Sequence, residues 1–230
     1  MEKKTRLEDF DFAGGEVLLF DKPYKWTSFD VVNKVRYKVK VKKVGHAGTL
    51  DPLATGLLIL CTGKMTKQIQ FIQAEEKEYI GQMVIGQTTP SHDLETEVEN
   101  EQDISHITVE NLHELLPRFT GKIQQIPPAH SAIKVNGKRA YSAARQGKEI
   151  KLDPREVEIR ELEIINVDFP KVDFRMVCSK GTYVRSFVRD FGEALGAGAY
   201  MSALKRTRIG EYKLEDAYQL EEFIDIIQEQ

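Results

Sequence analysis

The sequence has little that would staple, export or embed the chain. Its 230 residues include two cysteines, Cys61 and Cys178, and no CxxC pair. That excludes a disulfide framework and fits a reducing compartment. Long apolar runs are missing too: the strongest, Leu57-Leu58-Ile59-Leu60, is far too short to cross a bilayer. The opening stretch MEKKTRLEDFDF is charged throughout and lacks the apolar core of a secretory signal. No membrane or export segment is expected, and the location read from these absences is cytoplasmic. The five histidines, His46, His92, His106, His113 and His130, lack the short spacings of a zinc helix, and no cysteine cluster supports them. No metal is expected. Gly56 and Gly63-Lys64 stand too far apart for a phosphate loop, and Met65 replaces its Ser or Thr. Ser131-Ala132-Ile133-Lys134 satisfies the SxxK pattern of acylases, but neither SDN nor KTG occurs.

What is present is an ordinary globular composition, 41% hydrophobic and 30% charged, enough to bury one substantial core. A single domain over residues 1–230 is expected. The net charge of −3 hides segregation. Lys34, Arg36, Lys38, Lys40, Lys42 and Lys43 form a stretch without an acid, and Lys205, Arg206 and Arg208 form a second basic group. Acids gather from Asp93 to Asp103 and from Glu215 to Asp225. Such a dipolar surface steers polyanions as readily as it merely solvates two faces.

Along the chain, Val17 to Phe20 reads as a buried strand ended at Asp21-Lys22-Pro23. Thr27 with Asp30 three residues later marks a helix start, and Val31, Val32 and Val35 share its apolar face. Residues 45–56 hold too many glycines and prolines for regular structure and read as a loop. A strand at 57–61, a helix near 66–73 and a strand over 77–87 follow, the last with Tyr79, Met83 and Ile85 on one face. The acidic stretch after Asp93 reads as a surface connection, and Thr108 caps a helix carrying Leu112. Residues 124–154 form an excursion set off by Pro127-Pro128, with Asn136-Gly137 as a hairpin turn. Strands at about 155–167 and 172–179 precede a helix starting near Thr182, whose stripe is Val184, Phe187, Val188 and Phe191. A basic strand near 204–209 and a helix near 217–227 complete the chain. Strands outnumber the crossover helices that a parallel sheet needs, so the fold class is α+β with a mixed, largely antiparallel sheet and flanking helices.

Chemistry concentrates in Gly45-His46-Ala47-Gly48-Thr49-Leu50-Asp51-Pro52-Leu53-Ala54-Thr55-Gly56, where three glycines and a proline surround one carboxylate. Glycine permits close approach to a ligand, and proline stiffens the residue before it. Taken alone, the segment also fits a tight turn in which Asp51 satisfies backbone donors. The segment closely resembles the catalytic motif of the TruB family, synthases that convert uridine 55 in the tRNA T arm to pseudouridine. DKPYKWTSFDVVNKVR, QIPPAHSAIKVNGKRAYSAARQGKEI, CSKGTYVRSFVRDFGEALG and LKRTRIG with EDA are similar to further segments of that family, in order, over about residues 15–227.

The resemblance implies a pseudouridine synthase fold with a central RNA-binding cleft and a thumb-like RNA-binding insertion at about 124–154; relatives commonly carry a carboxy-terminal PUA-like domain, and in departure from them none is expected here. It implies a cofactor-independent isomerase acting on the T arm of tRNA, with no membrane or obligatory protein partner and a monomeric state expected. Asp51 is implied as the nucleophile, and a carboxylate can form a covalent intermediate without a cofactor. Substrate-binding roles fall to His46, which fills the space left by the extruded nucleotide, to Tyr79 and Tyr183 lining the uracil pocket, to Arg185 pairing with Asp51, and to Leu204. Lys22 is assigned only proximity to the site. Where relatives often continue into a TDT-like segment, this chain has Thr89-Pro90-Ser91-His92-Asp93 and Thr96. A binding module for the T arm, assisting tRNA folding with catalysis secondary, is the rival reading. Binding alone would need neither Asp51 nor Tyr79 nor Arg185.

Overall fold

The computed structural model describes residues 3–129, 134–135, 138–139 and 152–228. Its chain divides into two compact units, residues 1–80 with 204–230, and residues 81–203. Among the described residues, no helix is long and apolar enough to cross a membrane.

In the first unit, β1 (Val17–Lys22) lies antiparallel to β3 (Thr55–Thr62), which also takes the short β2 (Val44–His46). Strand β10 (Ala199–Ile209) runs parallel to β3, pairing Arg206 with Gly56, and turns back into β11 (Tyr212–Lys213). The unbroken apolar runs of β1 and β3 follow from burial on both faces. One face packs Leu18, Phe20, Leu58 and Leu60 against α1 (Ser28–Val39) and α5 (Leu220–Gln228). The other packs Leu19, Leu57, Ile59 and Cys61 with Ile72 of α2 (Ile69–Ala74). Helix α1 begins as its sequence predicts: the Thr27 hydroxyl accepts from the Asp30 amide and the Asp30 carboxylate accepts from the Thr27 amide. Val31, Val32 and Val35 are buried.

In the second unit, the order is β4 (Lys77–Ile85), β9 (Lys171–Cys178), β8 (Arg155–Asp168) and β5 (Gly121–Gln125), with β8 antiparallel to both neighbours. Strands β4 and β10 each contribute residues to both units. Helix α3 (Val109–Leu115) is capped by Thr108, and α4 (Val184–Ala194) buries Val184, Phe187, Val188 and Phe191. Phe174 and Phe119 meet Phe187 edge-on at 5.4 and 5.7 Å between centroids. Gly81 is required there, because a Cβ would sit 2.4 Å from the Phe174 ring. The hairpin read at Asn136-Gly137 has paired backbone arms, β6 (Lys134–Val135) and β7 (Lys138–Arg139). The rest of the expected thumb, residues 130–133, 136–137 and 140–151, lies outside the described residues.

The fold is α+β with a mostly antiparallel mixed sheet, as the excess of strands requires. Four local expectations need correction. The segment 45–56 is strand at both ends and loop only between, because β2 and β3 pair across it. The helix expected at 66–73 starts as a 3-10 turn over Gly63–Gln68. Helix α4 starts two residues later than expected, capped at Tyr183 without a side-chain bond. Finally, the stretch around Asp93 is not wholly a surface connection: Ser91 and Asp93 are both buried.

Candidate active site

The chain leaves β2 at His46 and enters β3 at Thr55, and the intervening turn carries Asp51. The Ala47 amide still bonds to the Ile59 carbonyl at 2.8 Å, so the excursion starts from fixed sheet. Its two ends are gripped by Arg206, which donates through Nε to the Leu57 carbonyl (2.8 Å) and through Nη2 to the Gly48 carbonyl (3.1 Å). Only glycine fits opposite it: Gly56 has φ +95°, and a Cβ there would lie 2.3 Å from the Arg206 carbonyl.

Both peptides flanking Asp51 are held as well. The buried Ser28 hydroxyl, in the first turn of α1, accepts from the Leu50 amide (2.9 Å) and donates to the Leu50 carbonyl (3.2 Å). Beyond Asp51, the Pro52 carbonyl accepts from the Lys25 amide (2.9 Å) and from Lys22 Nζ (3.2 Å). The Ala54 amide closes a four-residue turn onto the Asp51 carbonyl at 3.1 Å, with Pro52 at the position that turns favour. Leu50 and Ala54 are buried while Asp51 is half-buried. The result is an immobilised backbone that presents one carboxylate.

Lys22 has no exposed surface and directs its ammonium at three carbonyls, those of Pro23 (2.9 Å), Trp26 (2.5 Å) and Pro52. Burial lowers its pKa to about 8, against the opposing pull of the Asp51 carboxylate and, more weakly, Asp30. The ammonium is thus within electrostatic reach of Asp51 while its donors hold the loop backbone. His46 ends β2 with Nδ1 buried and without a hydrogen-bond partner among the described residues. Burial pushes its pKa below the ordinary value, a backbone hydrogen bond at Gly48 opposing and the Arg206 charge reinforcing. The imidazole is therefore neutral at pH 7. Tyr79 and Leu204 are buried in β4 and β10, each with 8% of its surface exposed.

In the second unit, Tyr183 sits at the start of α4 with its own peptide held twice by one buried side chain. Gln125 accepts from the Tyr183 amide (2.8 Å) and donates to its carbonyl (3.0 Å). Arg185, two residues on, is buried, with Nε 3.6 Å from the buried Asp93 carboxylate and Nη1 donating to the Ser91 carbonyl (3.2 Å). A cation in the first turn opposes the helix dipole, and Asp93 supplies the compensating charge. Thr89 and Ser91 both donate to the Asp93 carbonyl, at 2.6 and 3.1 Å, so the departing segment is a built turn.

The structure gathers Lys22, His46 and Asp51 around one loop and places Tyr79 and Leu204 in the same unit. Tyr183 and Arg185 belong to the second unit, with Gln125 and Asp93 as supports. Sequence reading missed Ser28, Gln125, Asp93 and Arg206. For Arg206 a signal existed: it shares strand parity with the inward Leu204. Read as part of a basic surface group, it is in fact 1% exposed, and its neighbour Arg208 pairs with Glu76 at 2.8 Å.

Residues 36–184 match the family model for the N-terminal domain of TruB family pseudouridylate synthases, and residues 185–230 match that for the tRNA pseudouridylate synthase B C-terminal domain. The chain is 52% identical over 226 residues to tRNA pseudouridine synthase B of Phocaeicola vulgatus, covering 96% of each chain. It is 53% identical over 225 residues to the protein of that name from Parabacteroides distasonis, covering 95% of this chain and 96% of the relative. Among solved structures, a Cbf5-Nop10-Gar1 complex contains a chain that matches with TM-score 0.72 and 28% identity, over 93% of this chain and 54% of the other. This chain thus spans about half the length of that neighbour.

Proposed function

The chain belongs to the TruB family of pseudouridylate synthases, and we propose that it converts uridine 55 in the T arm of tRNA to pseudouridine with Asp51 as nucleophile. tRNA pseudouridylation is the reaction class that its relatives carry in their names. The observation that supports the residue assignment best is the loop: the peptide before Asp51 is held by Ser28, the one after it by the Ala54 amide, the next by Lys25 and Lys22, and the ends of the loop by Arg206. A nucleophile held on rigid backbone reaches its target without ordering at the moment of reaction.

The bonds balance without a co-reactant. An Asp51 carboxylate oxygen bonds to C1′ as the N1–C1′ bond breaks, the freed uracil turns, C5 bonds to C1′ as the Asp51–C1′ bond breaks, and the proton lost from C5 is balanced by one gained at N1. Tyr79, Tyr183, Arg185 and Leu204 bind the substrate in this reading. Lys22 acts as a positioning residue through the Pro52 carbonyl. The uridine must leave the folded T loop first, at a cost of a few kcal/mol. His46, neutral with an unpartnered ring nitrogen among the described residues, is suited to occupy the vacated space.

The test is to incubate the purified protein with an unmodified tRNA transcript, adding no cofactor, and to map pseudouridine along it. Pseudouridine at one T-arm uridine is expected. Its absence, or modification confined to other positions, would contradict the proposal.

A further inference from the structure

The last turns of α1 and the chain leading to β2 carry six cations in ten residues, Lys34, Arg36, Lys38, Lys40, Lys42 and Lys43, and no acid. Among the described residues none of them pairs with a carboxylate. The polar partners they have are neutral: Arg36 reaches the Asn33 side-chain oxygen and Lys38 that of Gln228. Arg36, Tyr37, Lys38, Lys40 and Lys42 line an open groove of about 650 Å³ with Gln228. Tyr37 is 80% exposed within it, and the guanidinium of Arg36 lies 5.9 Å from the ring centre of Phe29, itself 58% exposed.

The helix dipole accounts for Arg36 and Lys38 in the last turn, but its effect fades beyond that turn and leaves Lys40, Lys42 and Lys43 unexplained. Lys40 is a left-handed C-cap with φ +53°, a position that favours glycine. A lysine there, amid cations that repel one another, is a local disadvantage that no carboxylate among the described residues offsets. The arrangement suits an external polyanion. Exposed aromatic faces beside cations are what a flexible nucleic-acid strand meets, since ribose and base stack while phosphates are neutralised. An anionic lipid surface would instead call for a broad apolar face, and two separate aromatics do not make one. The location matters too: Lys42 is four residues before His46, so at most about 14 Å of extended chain separates them.

Resting on the tRNA-modifying reading above, we propose that this surface grips the sugar–phosphate backbone of the tRNA outside the nucleotide being isomerised, with Tyr37 as a stacking face. The decisive variant is Lys40→Gly with Lys42→Ala and Lys43→Ala, glycine keeping the left-handed cap. Binding of an unmodified tRNA transcript is measured between about 50 and 200 mM salt. The slope of log affinity against log salt should fall by about two, with affinity at the low end reduced roughly tenfold or more. Turnover at saturating tRNA and the melting temperature should match wild type. Lys42→Ala alone should lower the slope by somewhat under one, and Tyr37→Ala should weaken binding roughly tenfold at constant slope. Wild-type affinity and slope in the triple variant would overturn the proposal. So would an unchanged tRNA affinity accompanied by lost binding to phosphatidylserine vesicles. Pseudouridine formation by the wild-type protein on the same transcript is scored separately: its absence would refute the functional reading, while the salt slope would still decide the surface.

Discussion

Lys22 and Arg206 are buried and direct their donors at backbone carbonyls, whereas Lys40, Lys42 and Lys43 of the same unit are exposed and meet no carboxylate among the described residues. One sequence thus uses like charges in two ways. A buried cation must satisfy its donors locally, and backbone carbonyls are the acceptors here: those of Pro23, Trp26, Gly48 and Pro52 outside the strands, and that of Leu57 near the start of β3. Its charge becomes a device for shape. An exposed cation keeps its hydration and remains available to a polyanion at little cost to folding. The contrast explains why net charge says so little about this protein: its buried and exposed cations do different work.

Removing the buried cations should therefore damage the fold and the loop together. Arg206→Met carries the largest expected effect, because it leaves the Leu57 and Gly48 carbonyls without their donor. Hydrogen bonds to a charged group contribute about 1.5–3 kcal/mol each, so a loss of roughly 3 kcal/mol or more is expected in urea unfolding. A loss under about 1 kcal/mol, the level of an ordinary substitution, would mean that the arginine merely fills space.

Lys22→Met sharpens the comparison through pH. Lys22 has a folded pKa of about 8 against an ordinary 10.5. Below about pH 8 the ammonium is protonated in both folded and unfolded chains, and the burial penalty is fully present. Between about 8 and 10.5 the unfolded chain binds more protons, so the Lys22 contribution to stability rises with pH and levels off above that window. The methionine variant lacks this rise. Its stability deficit relative to wild type should widen by on the order of 3 kcal/mol across the window. A deficit that stays constant would show that Lys22 is not desolvated.

The smallest effect belongs to His46, which contributes to substrate handling in this account. His46→Ala should slow single-turnover pseudouridine formation by about tenfold, a fraction of the cost of extruding a base. An RNA whose target uridine is already unpaired and exposed should recover part of that rate. No recovery would remove the displacement role.

Much of this was legible in the sequence for physical reasons. The α1 start was readable because Thr27 and Asp30 form a local capping pair, and β1 and β3 because burial on both faces demands unbroken apolar runs. Asp51 was singled out by the resemblance of its segment to the family's catalytic motif, since the glycines and proline alone fit a tight turn as well. The supports were not, because a hydroxyl, an amide or an arginine that grips a carbonyl far along the chain leaves no local pattern: Ser28 is 22 residues from Leu50, and Arg206 is 158 from Gly48. Asp93 was lost among the acids around it, since only burial against Arg185 distinguishes it from its solvated neighbours.

The central claim is that this immobilised loop exists to present the Asp51 carboxylate to a tRNA uridine. Its most direct test is single-turnover pseudouridine formation by Asp51→Asn, measured beside tRNA binding, because asparagine preserves size and polarity but removes the carboxylate proposed as nucleophile. No detectable product with near wild-type tRNA affinity is expected. Turnover of even a few per cent of wild type, once deamidation has been excluded by mass spectrometry, would contradict the account.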